Sequence, residues 1–447
     1  MTTATLSKGT ALREILKFSI PIIVGQIGLM LIGTGDMIIA GRYSRECLAA
    51  IGLAIAIANP IQISFLGMQF AISPLLAQKR GQGEKINGYF WTVFLYSLII
   101  SIVSGALTYL SIYLIPIFGY GENLNSIIKE YLIITSFSSV GLCLYQGMKE
   151  FFQSTEKTMA ANVVALTSAA VNLLFNYVFV FGKWGMPSLK EAGLAWASLS
   201  VRMFMGLLLF LIAFRWWKSP KKIDWAFMKE MWKVGGPISL TLFFEILAFC
   251  SVTLFVGKFA EIQTAANNLA LNLGSLAFMI PLSISAAVSV KVGHAFGERD
   301  FDNIKLYSQV SLFASFFFTA CMGVIFYLFP HFIMSLYTDD LMVLDWAKKL
   351  LFWVACFQLF DGAQVTIAGI LRGLSITRPA SISVFIGYWL IGIPLGYFLG
   401  FHQGLEAQGF WIGLALSLAI VSVMLGIILK FKFESFKTDP ILVSKAS

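Results

Sequence analysis

The chain has 447 residues, of which 58% are hydrophobic and only 12% charged, with a mean hydropathy of +0.81. A soluble domain of this length cannot bury so much apolar surface, so the composition excludes an ordinary water-soluble fold. The formal charge of +9 is spread along the chain without a concentrated basic face, which argues against nucleic acid as a partner.

Crossing a bilayer core as a helix takes about 20 mostly apolar residues. Runs of that length predict transmembrane helices at 16–40, 48–76, 90–116, 131–151, 159–182, 193–216, 234–257, 266–291, 308–333, 347–371, 380–401 and 409–431. The first run is longer than a signal-peptide core, is interrupted by Asp36 and lacks a small-residue cleavage site, so a span is expected there and not a leader. Lys and Arg concentrate at both termini and in the even-numbered connections, which places both termini in the cytoplasm. Cys47, Cys143, Cys250, Cys321 and Cys356 lie mostly inside spans and are expected to pack as small apolar residues. His294, His331 and His402 fit no zinc spacing, and no cofactor is implied.

The two halves repeat weakly. Pro21, Gly41, Ala49, Ala71, Ser73 and Gly81 recur as Pro237, Gly257, Ala265, Ala287, Ser289 and Gly297, always 216 residues apart (237 minus 21). Turn glycines and prolines that keep one register through two spans indicate a duplication. Six spans per half give both halves the same orientation, a parallel repeat about an axis along the membrane normal. The expected architecture is all-α, twelve transmembrane helices in two parallel-repeat six-helix bundles: residues 1–218, a linker at 219–233 and residues 234–447. The linker is basic and aromatic, is broken at Pro220, and is expected at the cytoplasmic membrane interface.

Acidic side chains inside a span cost about 2.5–3.5 kcal/mol on insertion scales and mark function by default. Three stand out: Asp36, Glu245 and Asp361. Asp36 shares a helical face with Gln26 and Gly33, and Ser168, Asn172 and Asn176 form a second polar stripe in the fifth span. In the second half Thr241 precedes Glu245 by one turn, and Gln358 and Gln364 flank Asp361 at three residues each side. Glu245 and Asp361 fall at similar depth, roughly 17 and 21 Å along their helices. Such a pair suits a bare sodium ion or a shared proton. Asn268, Asn272 and Ser275 share one face of the eighth span and could supply neutral oxygens. Lys149, Glu150, Glu156 and Lys157 are expected to be solvated at a span end, and Arg202 inside the sixth span needs a partner.

The stretch PIIVGQIGLMLIGTGDMIIAGRYSRECLAAIGLA, with Pro21, Gln26, Asp36, Gly41 and Leu48-Ala49-Ala50, resembles the first-span signature of the multidrug and toxic compound extrusion (MATE) family. SPLLAQKRGQGE and its counterpart SVKVGHAFGERD resemble the family's span-two and span-eight ends, so the resemblance covers essentially the whole chain. Glu245 and Asp361 resemble the acidic pair of the NorM-type bacterial branch, which implies a cation site. Asn172 and Asn176 match polar positions that join Asp36 around a first-half cavity. One departure is Phe357, where some NorM-type members have a tyrosine.

The implied function is efflux of organic, often cationic and lipophilic compounds by antiport with sodium or protons through alternating access. Glu245, Asp361 and Asp36 would couple the cation, and Asp36, Gln26, Asn172, Asn176 and Gln358 would bind substrate. The implied address is the bacterial inner membrane, and the implied state is a monomer. An alternative within the wider superfamily is a lipid-linked oligosaccharide flippase, which usually lines its cavity with basic residues; here the buried charges are mostly acidic. No catalytic cluster points to an intramembrane enzyme.

Overall fold

A computed structural model describes residues 6–219, 221–335, 337 and 340–438; the expected linker break at Pro220 lies outside them. Among the described residues there is no strand, and twelve helices are long and apolar enough to cross a membrane. They are α1 (Lys8–Tyr43), α2 (Arg45–Gly81), α3 (Ile86–Phe118), α4 (Glu122–Ser154), α5 (Met159–Phe181), α6 (Ala192–Ile212), α7 (Trp225–Val256), α8 (Glu261–Glu298), α9 (Phe301–Leu328), α10 (Leu341–Gly373), α11 (Arg378–His402) and α12 (Glu406–Phe436).

Each apolar run in the sequence corresponds to one helix. Several helices overrun their runs, α1 beginning at Lys8 and α8 ending at Glu298. Hydropathy registers only the stretch suited to hydrocarbon, whereas backbone hydrogen bonding carries the helix on into polar residues. Side chains mark some starts: Ser44 Oγ accepts from Cys47 N at 3.0 Å, and Asp340 Oδ1 from Met342 N at 2.9 Å. The segment 219–233 is not a loop throughout, since α7 begins at Trp225 with Asp224 Oδ1 accepting from Phe227 N.

The chain separates into two compact units. The first bundle comprises Ile20–Leu76 and Glu84–Ser239; the second comprises Met1–Ser19, Ala77–Gly83 and Leu240–Ser447. The start of α7 is held in the first bundle, where Tyr96 Oη donates to Met231 O at 3.3 Å. The start of α1 belongs to the second bundle, where Glu14 receives Lys291 Nζ at 3.0 Å and Tyr307 Oη at 2.7 Å. The end of α2 is held there as well, through Gln78 Nε2 on Gly373 O at 2.7 Å.

Small residues set the close approaches. In the first bundle, a Cβ on Gly28 would lie 2.9 Å from the Leu166 backbone, so α1 runs against α5 with Asp36 level with the asparagines. Gly141 of α4 lies directly against the Arg202 backbone of α6. In the second bundle, Gly369 and Gly373 of α10 lie against Ser285 and Ser289 of α8. Gly81 and Gly297, the repeat-matched pair, mark a crossing of the α2 and α8 ends: a Cβ on either would strike the other helix's backbone at His294 O or Gln78 O. They are crossing glycines more than turn glycines. α11 is opened into π-helical turns at Ile386–Gly392 and Phe398–His402, with Gly396 and Gly413 in close approach between α11 and α12.

Candidate functional site

The first bundle brings Asp36, Asn172 and Asn176 together as expected. Asp36 is only 3% exposed, and both of its carboxylate oxygens accept hydrogen bonds. Asn176 Nδ2 donates to Oδ1 at 2.6 Å and Ser198 Oγ donates to Oδ2 at 2.8 Å. Asn176 Nδ2 also reaches Asn172 Oδ1 at 3.1 Å. A carboxylate held only by donors is what intramembrane burial demands. Gln26 is half-buried on α1 and, among the described residues, joins none of these hydrogen bonds. Gly33 is exposed; Gly35 is the glycine that faces Asn172. Ser168 is buried on the asparagine stripe.

The partners of Arg202, which sequence reasoning could not name, are Gln62 Oε1 at 3.1 Å and Ser138 Oγ at 2.9 Å. Its guanidinium is close enough to Asp36 for the charges to interact. Ser198 was missed as a site residue; its one sequence signal is a place one turn before Arg202.

The second bundle brings Glu245 of α7 and Asp361 of α10 within electrostatic reach of each other, both half-buried. Gln364 Nε2 donates to Glu245 Oε1 at 2.6 Å. Gln358 Nε2 donates elsewhere, to Gly274 O at 2.8 Å. Both glutamines therefore commit their amide hydrogens to fixed acceptors, and the carbonyl oxygens Gln358 Oε1 and Gln364 Oε1 remain buried without a donor among the described residues. The two carboxylates and the Gln364 oxygen are hard, oxygen-only donors of the kind a sodium ion takes.

Two further residues join this site without having been anticipated. Tyr388 of α11, 1% exposed, lies within electrostatic reach of both acids. It brings a phenol near the acids, whereas Phe357 has no hydroxyl and its ring packs edge-on against Trp411 with centroids 5.7 Å apart. Arg372 lies within electrostatic reach of Glu245 and donates from Nη2 to Ser285 Oγ at 2.7 Å.

Two expectations are corrected. Asn268, Asn272 and Ser275 occupy an exposed face of α8, and Ser275 turns back on Leu271 O at 2.8 Å; the neighbouring Asn267 is the buried one, accepting from Trp411 Nε1 at 3.0 Å. One residue of helix is about 100°, enough to swap the inward amide. Lys149 and Glu150 are not solvated but 4% exposed each, because α4 continues to Ser154. Glu150 accepts from Ser73 Oγ at 2.5 Å and Gln146 Nε2 at 2.8 Å. Lys157 is exposed and Glu156 half-buried.

Twelve helices long and apolar enough to cross a membrane, with acids and amides gathered within each of two bundles, define a multi-pass membrane protein. The MatE family profile matches residues 21–178 and again 237–398, two stretches that begin the same 216 residues apart (237 minus 21), and the chain belongs to this family. It is 29% identical over 437 residues to the multidrug resistance protein NorM of Photobacterium profundum, covering 94% of this chain and 95% of that one. It is 31% identical over 428 residues to NorM of Vibrio cholerae serotype O1, covering 92% and 94%. Among solved structures, the eukaryotic MATE transporter AtDTX14 superposes with a TM-score of 0.85 at 18% identity, covering 94% of this chain and 95% of that one. A MOP superfamily transporter from Pyrococcus furiosus superposes with 0.84 at 17%, covering 97% and 100%. These structures show the fold.

Proposed function

We propose that this protein exports organic, often cationic and lipophilic compounds by antiport with sodium or protons through alternating access. The observation that carries the reading is the second-bundle cluster: Glu245 and Asp361 lie within electrostatic reach of each other, and Gln364, which donates to Glu245, has a buried carbonyl oxygen with no donor among the described residues. A monovalent cation supplies what that cluster lacks. Asp36, with Asn172 and Asn176, is the proposed substrate or proton site in the first bundle; Gln26 and Gln358 stay as candidate substrate contacts on α1 and α10. For coupling, the cation must favour the substrate-releasing state over the other. One elementary charge moving through about 100 mV provides about 2.3 kcal/mol. The distribution of Lys and Arg supports cytoplasmic termini, the likeness to NorM proteins of bacteria supports a bacterial inner-membrane address, and a monomer holds both clusters.

The test is efflux of a fluorescent organic cation from proteoliposomes under a sodium or a proton gradient imposed separately. Sodium-driven export that is lost in Glu245→Gln and Asp361→Asn supports the second-bundle cation site. Export driven by protons alone moves coupling to Asp36. No response to either gradient refutes antiport.

A further inference from the structure

Arg202 is the one charge in the first-bundle site that the proposed transport cycle does not use. Its Nη1 donates to two neutral acceptors on different helices, Gln62 of α2 and Ser138 of α4, which are 3% and 0% exposed. Asp36 is satisfied separately by Asn176 and Ser198. The two charges interact through space but share no hydrogen bond, so each keeps its own cradle. The groups that face Asp36 electrostatically are Arg202 from α6 and the phenol of Tyr131 from α4. With Asp36 ionised, the first-bundle site thus carries a separated pair of opposite charges and no net charge.

That arrangement has a consequence for recognition. A compound bearing only positive charge gains from Asp36 and loses to Arg202. A compound bearing an amine at one end and a carboxylate at the other can balance both charges through space. A neutral residue at position 202 would leave Asp36 unopposed. At an effective dielectric of about 20, a unit charge within about 10 Å is worth about tenfold or more in affinity.

We propose that Arg202 is a specificity-determining residue, a fixed counter-charge that admits zwitterionic compounds to the Asp36 site and holds back purely cationic ones. The inference rests on the reading of Asp36 as a substrate site. The experiment uses full-length protein in proteoliposomes and two xanthene dyes of the same skeleton. One is a carboxylate ester with a net positive charge; the other is the free acid, a zwitterion. The readout is the ratio of their KM values under the gradient that drives the wild type.

Arg202→Gln shifts the ratio toward the cationic ester by at least about tenfold, and Arg202→Lys keeps it near the wild-type value. Gln62→Glu, which sets a carboxylate against the guanidinium while leaving Arg202 in place, shifts it the same way; it serves if Arg202→Gln does not fold. A wild-type ratio in Arg202→Gln, or in Gln62→Glu where that variant stands in, overturns the inference while leaving the transport reading intact. So does an equal loss for both dyes in the Gln and Lys variants, the signature of a merely structural arginine. Failure of the wild type to move either dye refutes the transport reading itself.

Discussion

The two bundles solve the same problem, a charge inside hydrocarbon, in opposite ways. In the first, the acid of the candidate site is closed off: Asp36 is buried, both its oxygens are occupied by Asn176 and Ser198, and Arg202 stands as a separate counter-charge. In the second, two acids are left half-buried; Gln364 is the hydrogen-bond donor on Glu245, and Gln358 and Gln364 keep carbonyl oxygens without donors among the described residues. In the first, both carboxylate oxygens already have donors, which suits exchange of one partner for another, although Asn176 Oδ1 is also without a donor among the described residues. The second sets two acids within electrostatic reach of each other and suits an incoming cation. A repeat that began as two copies of one design has placed its acids at unmatched positions: Asp36 and Glu245 lie on the repeat-matched helices α1 and α7 but 209 residues apart (245 minus 36), not 216, Asp361 adds a second acid on α10, and with them the chemistry has diverged.

The largest effect that would break this comparison is in the second bundle. Glu245→Gln and Asp361→Asn should each reduce gradient-driven efflux on the order of a hundredfold, about the value of one or two charge-assisted contacts. If Asp36→Asn instead removes the ion dependence while those two variants retain it, the assignment of roles is reversed. A second test is structural. Gly28→Leu forces a side chain into the Leu166 backbone and should cost about 1–3 kcal/mol, seen as a lower melting temperature in detergent, with Asp36 function lost alongside.

Asn176→Ala should raise the KM for organic cations by roughly tenfold through loss of a hydrogen bond to a charged group, with the ion dependence unchanged. Tyr388→Phe is expected to be milder, a few-fold weaker dependence on the coupling ion, as removal of one phenol from the second site implies. The smallest effect belongs to Asn272→Ala on the exposed face of α8, which should leave both efflux and ion dependence within about twofold. A large loss there would place the α8 stripe back among the cation ligands.

Much of this was legible in the residues. Asp36, Glu245 and Asp361 declare themselves because an acid in an apolar run is costly wherever the helix sits, and the Ser168, Asn172 and Asn176 stripe follows from helical spacing. Ser198, Gln62, Tyr388 and Arg372 did not declare themselves. Serines, glutamines and tyrosines in spans most often bond locally or pack, and their role depends on which other helix they meet. Ser138 turned out to hold Arg202, while Ser283 on α8 merely returns to Met279 O at 2.7 Å. Nothing in their local sequences separates the two cases.

What the sequence determined by itself was the number of helices, their repeat and the three intramembrane acids, because hydropathy, register and the cost of charge are properties of single segments. The tertiary structure decided which amide of the Asn267-Asn268 pair turns inward, that Lys149 and Glu150 are buried, that the start of α1 joins the second bundle and the start of α7 the first, and that each acid cluster has an arginine beside it. These outcomes depend on where glycines let helices approach and which side chains then face each other, and that pairing is written in no single segment.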